Sequence, residues 1–287
     1  MAKPRVGVIG GSGLYEMKGL RGRRELKLRT PFGAPSDAYV TGELDGVPVV
    51  FLPRHGRGHR TLPTELNFRA NIWGMKKLGV EWIIGVSAVG SMKEEIRPGD
   101  IVIVDQFIDR THQRIDTFFG GGVAAHVSLA DPVCGALHDA LLTAAGEAGA
   151  RVHRRGVYLC MEGPQFSTRA ESLLYRSWGV DVIGMTNFQE ARLAREAEIC
   201  YATIALATDY DCWHEVEASV TAGAILDVLH RNVEMARRIV RGAVRRRPDP
   251  RRCMCATALA NAIITDKKKI STAAKKRLSL IIGKYVR

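Results

Sequence analysis

The chain has 287 residues, 46% of them hydrophobic, enough to bury one large α/β core or two small ones. No apolar run approaches the roughly 18 residues of a membrane span, and the opening M-A-K-P-R carries no apolar leader, so the sequence reads as a soluble cytoplasmic protein. The net charge of +12 is uneven: Arg237–Arg287 holds 16 Lys and Arg against 2 acids, whereas the preceding 236 residues hold 26 bases and 28 acids.

Arg5–Ile9 reads as a short apolar strand running into Gly10-Gly11-Ser12-Gly13. Val47–Leu52 is a second strand, ending at Pro53-Arg54-His55-Gly56, and Leu66–Leu78 has apolar residues at helical spacing. Trp82–Val89 is a third strand, with Ser87-Ala88 near its end. Further strands are expected at Ile101–Phe107, Tyr158–Met161, Val180–Met185 and Cys200–Thr208. Helices are expected at Leu137–Gly149, Arg169–Trp178, Glu190–Glu198 and Ala222–Val244. Apolar strands separated by amphipathic helices predict one α/β domain over residues 1–244, with a central mixed, largely parallel sheet flanked by helices. The run R-R-R-P-D-P-R-R at Arg245–Arg252 marks the start of a basic helical C-terminal appendage over 245–287. Apolar and basic residues alternate at Ala256–Ile264 and Leu278–Ile282, which suits an amphipathic helix packed on the body or a sister subunit better than nucleic acid.

Six cysteines are scattered at positions 134, 160, 200, 212, 253 and 255. Only Cys253-Met254-Cys255 is close-spaced and no second pair matches it, so the spacing predicts free thiols and no metal. The C-x-C can close as a disulfide under oxidation.

Ligands of such sheets bind beyond the carboxyl ends of the strands, and the chemically informative residues gather there. Gly10–Gly13 can turn backbone N–H groups toward an anion, with Ser12 adding a hydroxyl. Arg54-His55 follows the second strand, where a guanidinium fork matches a phosphate with two parallel bonds. Ser87 and Ala88 offer a hydroxyl and N–H groups, and three such strand ends point to a phosphate site. The segment M-E-G-P-Q-F-S-T-R-A-E-S at Met161–Ser172 combines a Gly163-Pro164 turn, the ring of Phe166 and several hydroxyls, which suits a heterocycle carrying a sugar. The same residues also read as a helix start, with Ser167 as the cap. Asp209 and Asp211 end the last strand and can hold a metal, serve as acid and base, or accept from an amino group. No third ligand sits at metal spacing, and an Asp beside a purine suits N7 and a 6-amino group. Asp211 equally suits a helix cap.

Taken together, V-I-G-G-S-G-L at Val8–Leu14, P-R-H-G-R-G-H at Pro53–His59, N-F-R-A-N-I-W at Asn67–Trp73, G-S-M-K-E-E-I-R-P-G-D at Gly90–Asp100, D-Q-F-I-D-R-T at Asp105–Thr111, E-G-P-Q-F-S-T-R-A-E-S and T-D-Y-D-C-W resemble the trimeric purine nucleoside phosphorylases. The resemblance is nearest to the branch acting on 5'-methylthioadenosine. It runs from about Val6 to Arg241, and the tail follows it only loosely. It implies phosphorolysis of 5'-methylthioadenosine to adenine and 5-methylthioribose 1-phosphate, with inorganic phosphate as co-substrate and no metal or organic cofactor. It implies a homotrimer or a dimer of trimers, with no membrane or nucleic-acid partner. Ser12, Arg54, His55, Ser87, Ala88 and Thr186 fall where the family binds phosphate, and Phe166, Met185 and Thr208 where it binds base and ribose. Asp209 and Asp211 match the adenine-recognising pair, with Asp209 as the acid at N7. Ala222, Ile225 and Leu226 match the pocket for the 5'-substituent, and His126 resembles a residue lent to that pocket by a neighbouring subunit. Two departures are visible: Asn187-Phe188-Gln189-Glu190 follows Thr186 where the family carries Pro-Glu, and Gly184 precedes Met185. They leave a preference for 6-oxopurines (inosine, guanosine or methylthioinosine) as the alternative.

Overall fold

Val6–Gly10 is buried at every position, as a strand covered on both faces must be, and this strand (β1) lies inside the sheet. Residues 5–11, 13–14, 16–214, 222–246 and 253–286 are described by the computed structural model, without the side chains of 222–227 and 229–231. β1 runs parallel between β4 (Val47–Pro53) and β5 (Trp82–Ser91), and β5 runs parallel to β11 (Cys200–Tyr210) along its whole length. Beyond β4, an antiparallel flap of β3 (Tyr39–Leu44) and β2 (Arg21–Leu26) closes one edge. On the other side β5 meets the antiparallel β10 (Val182–Gly184), followed by β9 (Val157–Met161) and β7 (Gln106–Arg110). β6 (Ile101–Val104) pairs antiparallel with β11 and carries the short β8 (Val152–His153).

Helices cover both faces of this mixed, largely parallel sheet. α1 (Phe68–Leu78), α4 (Asn187–Glu196) and α6 (Thr272–Ile282) bury Phe68, Ile72, Leu193, Leu278 and Ile281 in one core. α2 (Gly135–Glu147) and α5 (Ala222–Arg245) bury Leu137, Leu141, Ile239 and Val240 in a second, on the opposite face. α3 (Arg169–Ser177) lies outermost, contributing Tyr175 to a small third cluster with Tyr210 and Trp213.

The expected strand Ile101–Phe107 is two strands, β6 and β7, separated at Asp105. The Asp105 carboxylate accepts from Gly156 N at 3.0 Å, and β7 leaves to join a different part of the sheet. The cap of α3 is Thr168, not Ser167: its hydroxyl accepts from Glu171 N while Glu171 accepts from Thr168 N, a reciprocal capping box. In the basic tail, Leu278–Ile282 is helical as its pattern predicts. Ala256–Ile264 is not, forming a single 3-10 turn at Cys255–Thr257 and then a bridge from Ile263 to Ala125.

Tail residues Leu259, Ile270, Leu278, Ile281 and Val286 share the core of α1 and α4. Glu198, itself buried at the end of α4, ties this segment down. Its carboxylate accepts from Leu259 N at 3.1 Å, Tyr285 Oη at 2.5 Å and Lys284 Nζ at 2.6 Å. All six cysteines are free thiols, as their spacing predicts, yet those scattered in sequence are not scattered in space: Cys134, Cys200, Cys253 and Cys255 converge.

Candidate active site

The sheet divides along one side of β5. β1 pairs with β5 only as far as Gly85, and β10 begins only at Gly90. Residues 86–89 therefore border a gap at the carboxyl end of β1, the kind of division where α/β sheets bind ligands. Ser87 and Ala88 lie in this stretch, half-buried, and Ser87 Oγ forms no hydrogen bond to any described residue.

Arg54 reaches the gap from the end of β4. Its Nη1 donates to Val86 O at 2.8 Å and its Nη2 to Ile9 O at 3.2 Å. Nε and Nη2 also donate to the two carboxylate oxygens of Glu190, at 2.5 and 3.0 Å. The guanidinium fork expected to grip a phosphate is thus occupied by a carboxylate, and among the described residues only one of its five N–H donors, on Nη1, is without a partner. A fully buried cation needs such a counter-charge, which is the physical reason for the difference. Glu190 is also held by Tyr201 Oη at 3.0 Å, and Asn187 Nδ2 donates to Tyr201 Oη and Thr203 Oγ1 at 2.8 and 2.5 Å.

His55, next in sequence, donates from Nδ1 to Thr61 O at 2.9 Å, since a carbonyl can only accept. Its ring stacks on His59, with centroids 4.3 Å apart. Burial, aided by the Arg54 charge, pushes its pKa down to about 4. The neutral ring therefore presents Nε2 as an acceptor.

Thr186 is the N-cap of α4, with φ −138° and no capping bond from its side chain. The hydroxyl and the first N–H groups of α4 stand at the positive end of a helix dipole, where an anion is favoured. Thr186 N lies 3.5 Å from Tyr158 Oη, so this buried phenol backs the α4 N-terminus.

At the end of β11, the register with β5 shifts between Ala207 and Asp209, leaving Thr208 as the extra residue of a bulge. Bulges re-aim side chains, and this one brings Asp209 opposite Gly90. A Cβ on Gly90 would lie 3.3 Å from Asp209 Oδ2 and 3.5 Å from Asp211 Cβ, so both acids crowd onto the space that glycine leaves. Thr208 Oγ1 lies 2.6 Å from Asp209 Oδ1 and 3.2 Å from Val89 O. Asp211 is buried, and burial raises its pKa against the pull of Ser172, Cys212 N–H and Ser167.

Cys212 Sγ contacts Ser167 O at 3.3 Å, so the Met161–Ser172 segment borders the end of β11. Met185 packs over it: a Cβ on Gly163 would lie 2.6 Å from Met185 Sδ. Phe166 is 53% exposed, an open ring at the rim. Gly184 backs onto the Tyr158 hydroxyl so closely that any side chain would displace it, which explains the glycine beside Met185.

Arg114, which the sequence patterns did not single out, organises this floor. Its guanidinium donates to Glu162 Oε1 at 3.2 Å, Glu162 O at 2.6 Å, Met161 O at 3.2 Å, Gln189 Oε1 at 2.9 Å and Met185 O. Gln189, within the segment that departs from the family pattern after Thr186, uses its amide to join Arg114 to Thr111 Oγ1, 2.9 Å from its Nε2. A lone arginine in a loop carries no pattern that could have revealed this role.

The structure thus gathers Arg54, His55, Ser87, Ala88, Thr186, Met185, Thr208, Asp209, Asp211 and Phe166 around the divided end of the sheet. Ser12 lies outside the described residues, as do the side chains of Ala222, Ile225 and Leu226. His126 is exposed in a loop whose backbone bonds to the tail, His126 N to Ala262 O at 2.8 Å.

A mixed, largely parallel sheet divided beside a group of anion donors, with two carboxylates at the end of the next strand, suits a ligand that joins a phosphate to a base. The chain belongs to the Phosphorylase superfamily, whose family model matches residues 5–245. It is similar to S-methyl-5'-thioadenosine phosphorylase of Geobacter sulfurreducens, 67% identical over 98% of this chain and 99% of that one. The enzyme of the same name from Koribacter versatilis is 60% identical over 98% and 96%. A crystal structure of methylthioadenosine phosphorylase from an antarctic soil metagenomic library matches with a TM-score of 0.93 at 48% identity, covering 98% of this chain and 99% of that one. Methylthioadenosine phosphorylase from Schistosoma mansoni in complex with tubercidin matches at 0.81 and 34%, covering 92% and 100%.

Proposed function

We propose that this chain is a pentosyltransferase that cleaves 5'-methylthioadenosine with inorganic phosphate, giving adenine and 5-methylthioribose 1-phosphate. The observation that carries this reading is that the β5 stretch bearing Ser87 and Ala88 runs into Gly90, against which Asp209 and Asp211 of the β11 end are packed. The names of the relatives at 60 to 67% identity point the same way.

Breaking the C1'–N9 bond builds positive charge on the sugar and negative charge on the purine. Phosphate held by Ser87, Thr186, the α4 N-terminus and the one open N–H of Arg54 would approach C1' from the face opposite the base. His55, neutral at physiological pH, would accept from a protonated phosphate oxygen. Asp209 would donate to N7 as the leaving base gathers charge, and Asp211 would recognise the base edge. Met185 would underlie the ribose, with Phe166 against the base. No step needs a metal or an organic cofactor.

His126, exposed in its own chain, suits a role in a neighbouring subunit's 5'-pocket. Exposed Leu173 and Leu174 on α3, with Trp178 just past its end, offer an apolar face to a second copy. A cytoplasmic homotrimer or dimer of trimers fits both. Phosphorus NMR of a reaction containing 5'-methylthioadenosine and phosphate tests the chemistry: a sugar 1-phosphate resonance should grow in step with adenine. Adenine released with no new phosphorus signal would assign a hydrolase instead.

A further inference from the structure

Four of the six cysteines meet at one point far apart in sequence. The Sγ atoms of Cys134, Cys200, Cys253 and Cys255 all lie within 4.8 Å of one another, and Cys200 and Cys253 are 3.3 Å apart. Cys134 precedes the first turn of α2, Cys200 opens β11, and the Cys-x-Cys pair comes from the tail. Two ligands on the core and two on a separate segment is a chelate that only the folded chain assembles.

We propose that these four cysteines bind one zinc-class ion as a structural centre that fastens the C-terminal segment to the α/β core. Four thiolates around one tetrahedral ion, with bonds of about 2.3 Å, lie about 3.8 Å apart, a spacing the present cluster reaches with small side-chain shifts. Disulfides would take the sulfurs as separate pairs, whereas here each sulfur already neighbours the other three. Closed all-sulfur sites are structural, with no position left for substrate.

The surroundings suit a cluster of thiolates. Cys134 is the N-cap residue of α2, at the end of the helix dipole that favours negative charge. On binding, each thiol that ligates loses its proton to solvent as its metal–sulfur bond forms, so no oxidant or reductant takes part. A cavity of about 640 Å³, lined in part by Glu198, Cys200, Cys253, Met254 and Lys284, gives an entry path.

The test uses the full chain, purified under reducing conditions and titrated with Co2+ alone, then with Zn2+ alone. The expected result is saturation at one ion per chain, with the intense visible bands and sulfur-to-metal charge transfer of a tetrahedral cobalt–thiolate centre, and displacement of Co2+ by Zn2+. Cys253→Ser/Cys255→Ser should reduce the stoichiometry to near zero, and Cys134→Ser, altering the core side alone, should abolish the four-sulfur spectrum. Four titratable thiols in the native chain with no cobalt bound would overturn the proposal. So would a mass lower by four hydrogens in metal-free protein that cannot be loaded after reduction, which would assign two disulfides to the same cysteines.

Discussion

At the residue scale, the site rests on charges that are countered before any substrate arrives. Arg54 is locked to Glu190 with both partners almost wholly buried, so Glu190→Gln leaves a buried cation unpaired. Breaking such a pair costs about 3–5 kcal/mol, which should appear as a lower denaturant midpoint with an unchanged slope. A midpoint equal to that of the parent would mean that water reaches the guanidinium. Asp209 is a different case, because the role proposed for it is chemical. Asp209→Asn should lower kcat by roughly 10²–10⁴-fold, the usual worth of a positioned acid, with a much smaller change in KM. A large rise in KM with kcat intact would reassign Asp209 to binding only. Both positions were visible in the sequence as charged residues at strand ends. That the Arg54 fork faces a carboxylate was not, because Glu190 lies 136 residues away and only the fold brings them together.

At the element scale, long apolar strands and periodic helices were legible, and edges and irregularities were not. β2, R-G-R-R-E-L, is exposed at every position and carries no alternation to read. The bulge at Thr208 that turns Asp209 toward Gly90 leaves no mark on composition, since an inserted residue looks like any other strand residue. β10 is only three residues long, and its ending follows from packing: Gly184 lies against the Tyr158 hydroxyl. Gly184→Ala should therefore force Tyr158 aside and cost about 1–3 kcal/mol, as overpacking does. Because Tyr158 also meets Thr186 N, the same variant should weaken apparent phosphate affinity. A thermal scan and a phosphate titration together check this, and a variant with parental values in both would show the floor to be loose.

At the scale of the whole molecule, the basic tail that the sequence set apart shares the core of α1 and α4, with Glu198 as its anchor. The alternation at Leu278–Ile282 foretold packing on the body or a sister subunit, and the fold decides for the body through Leu278, Ile281 and Ile282. Nearby, Glu196 accepts from Phe118 N and Thr117 Oγ1 at 2.7 Å each, yet burial raises its pKa from 4.5 to about 7. Between those values the folded chain holds a proton that the unfolded chain has released, so stability is lost as pH rises through this window. Relative to Glu196→Gln, the parent should lose on the order of 3 kcal/mol between about pH 5 and about pH 8, the scale such a shift implies. Unfolding curves of both proteins across that range give the comparison, and parallel pH profiles would place Glu196 in an ordinary carboxylate environment.

The central claim is that an anion corner and an adenine-reading acid pair act on one nucleoside. Initial rates of base release from 5'-methylthioadenosine, adenosine, inosine and guanosine, each with and without phosphate, test it most directly. Adenine release should depend on phosphate and be fastest from 5'-methylthioadenosine. Faster release from inosine or guanosine would contradict the reading of Asp209 and Asp211, and turnover undiminished without phosphate would contradict the reading of the site itself.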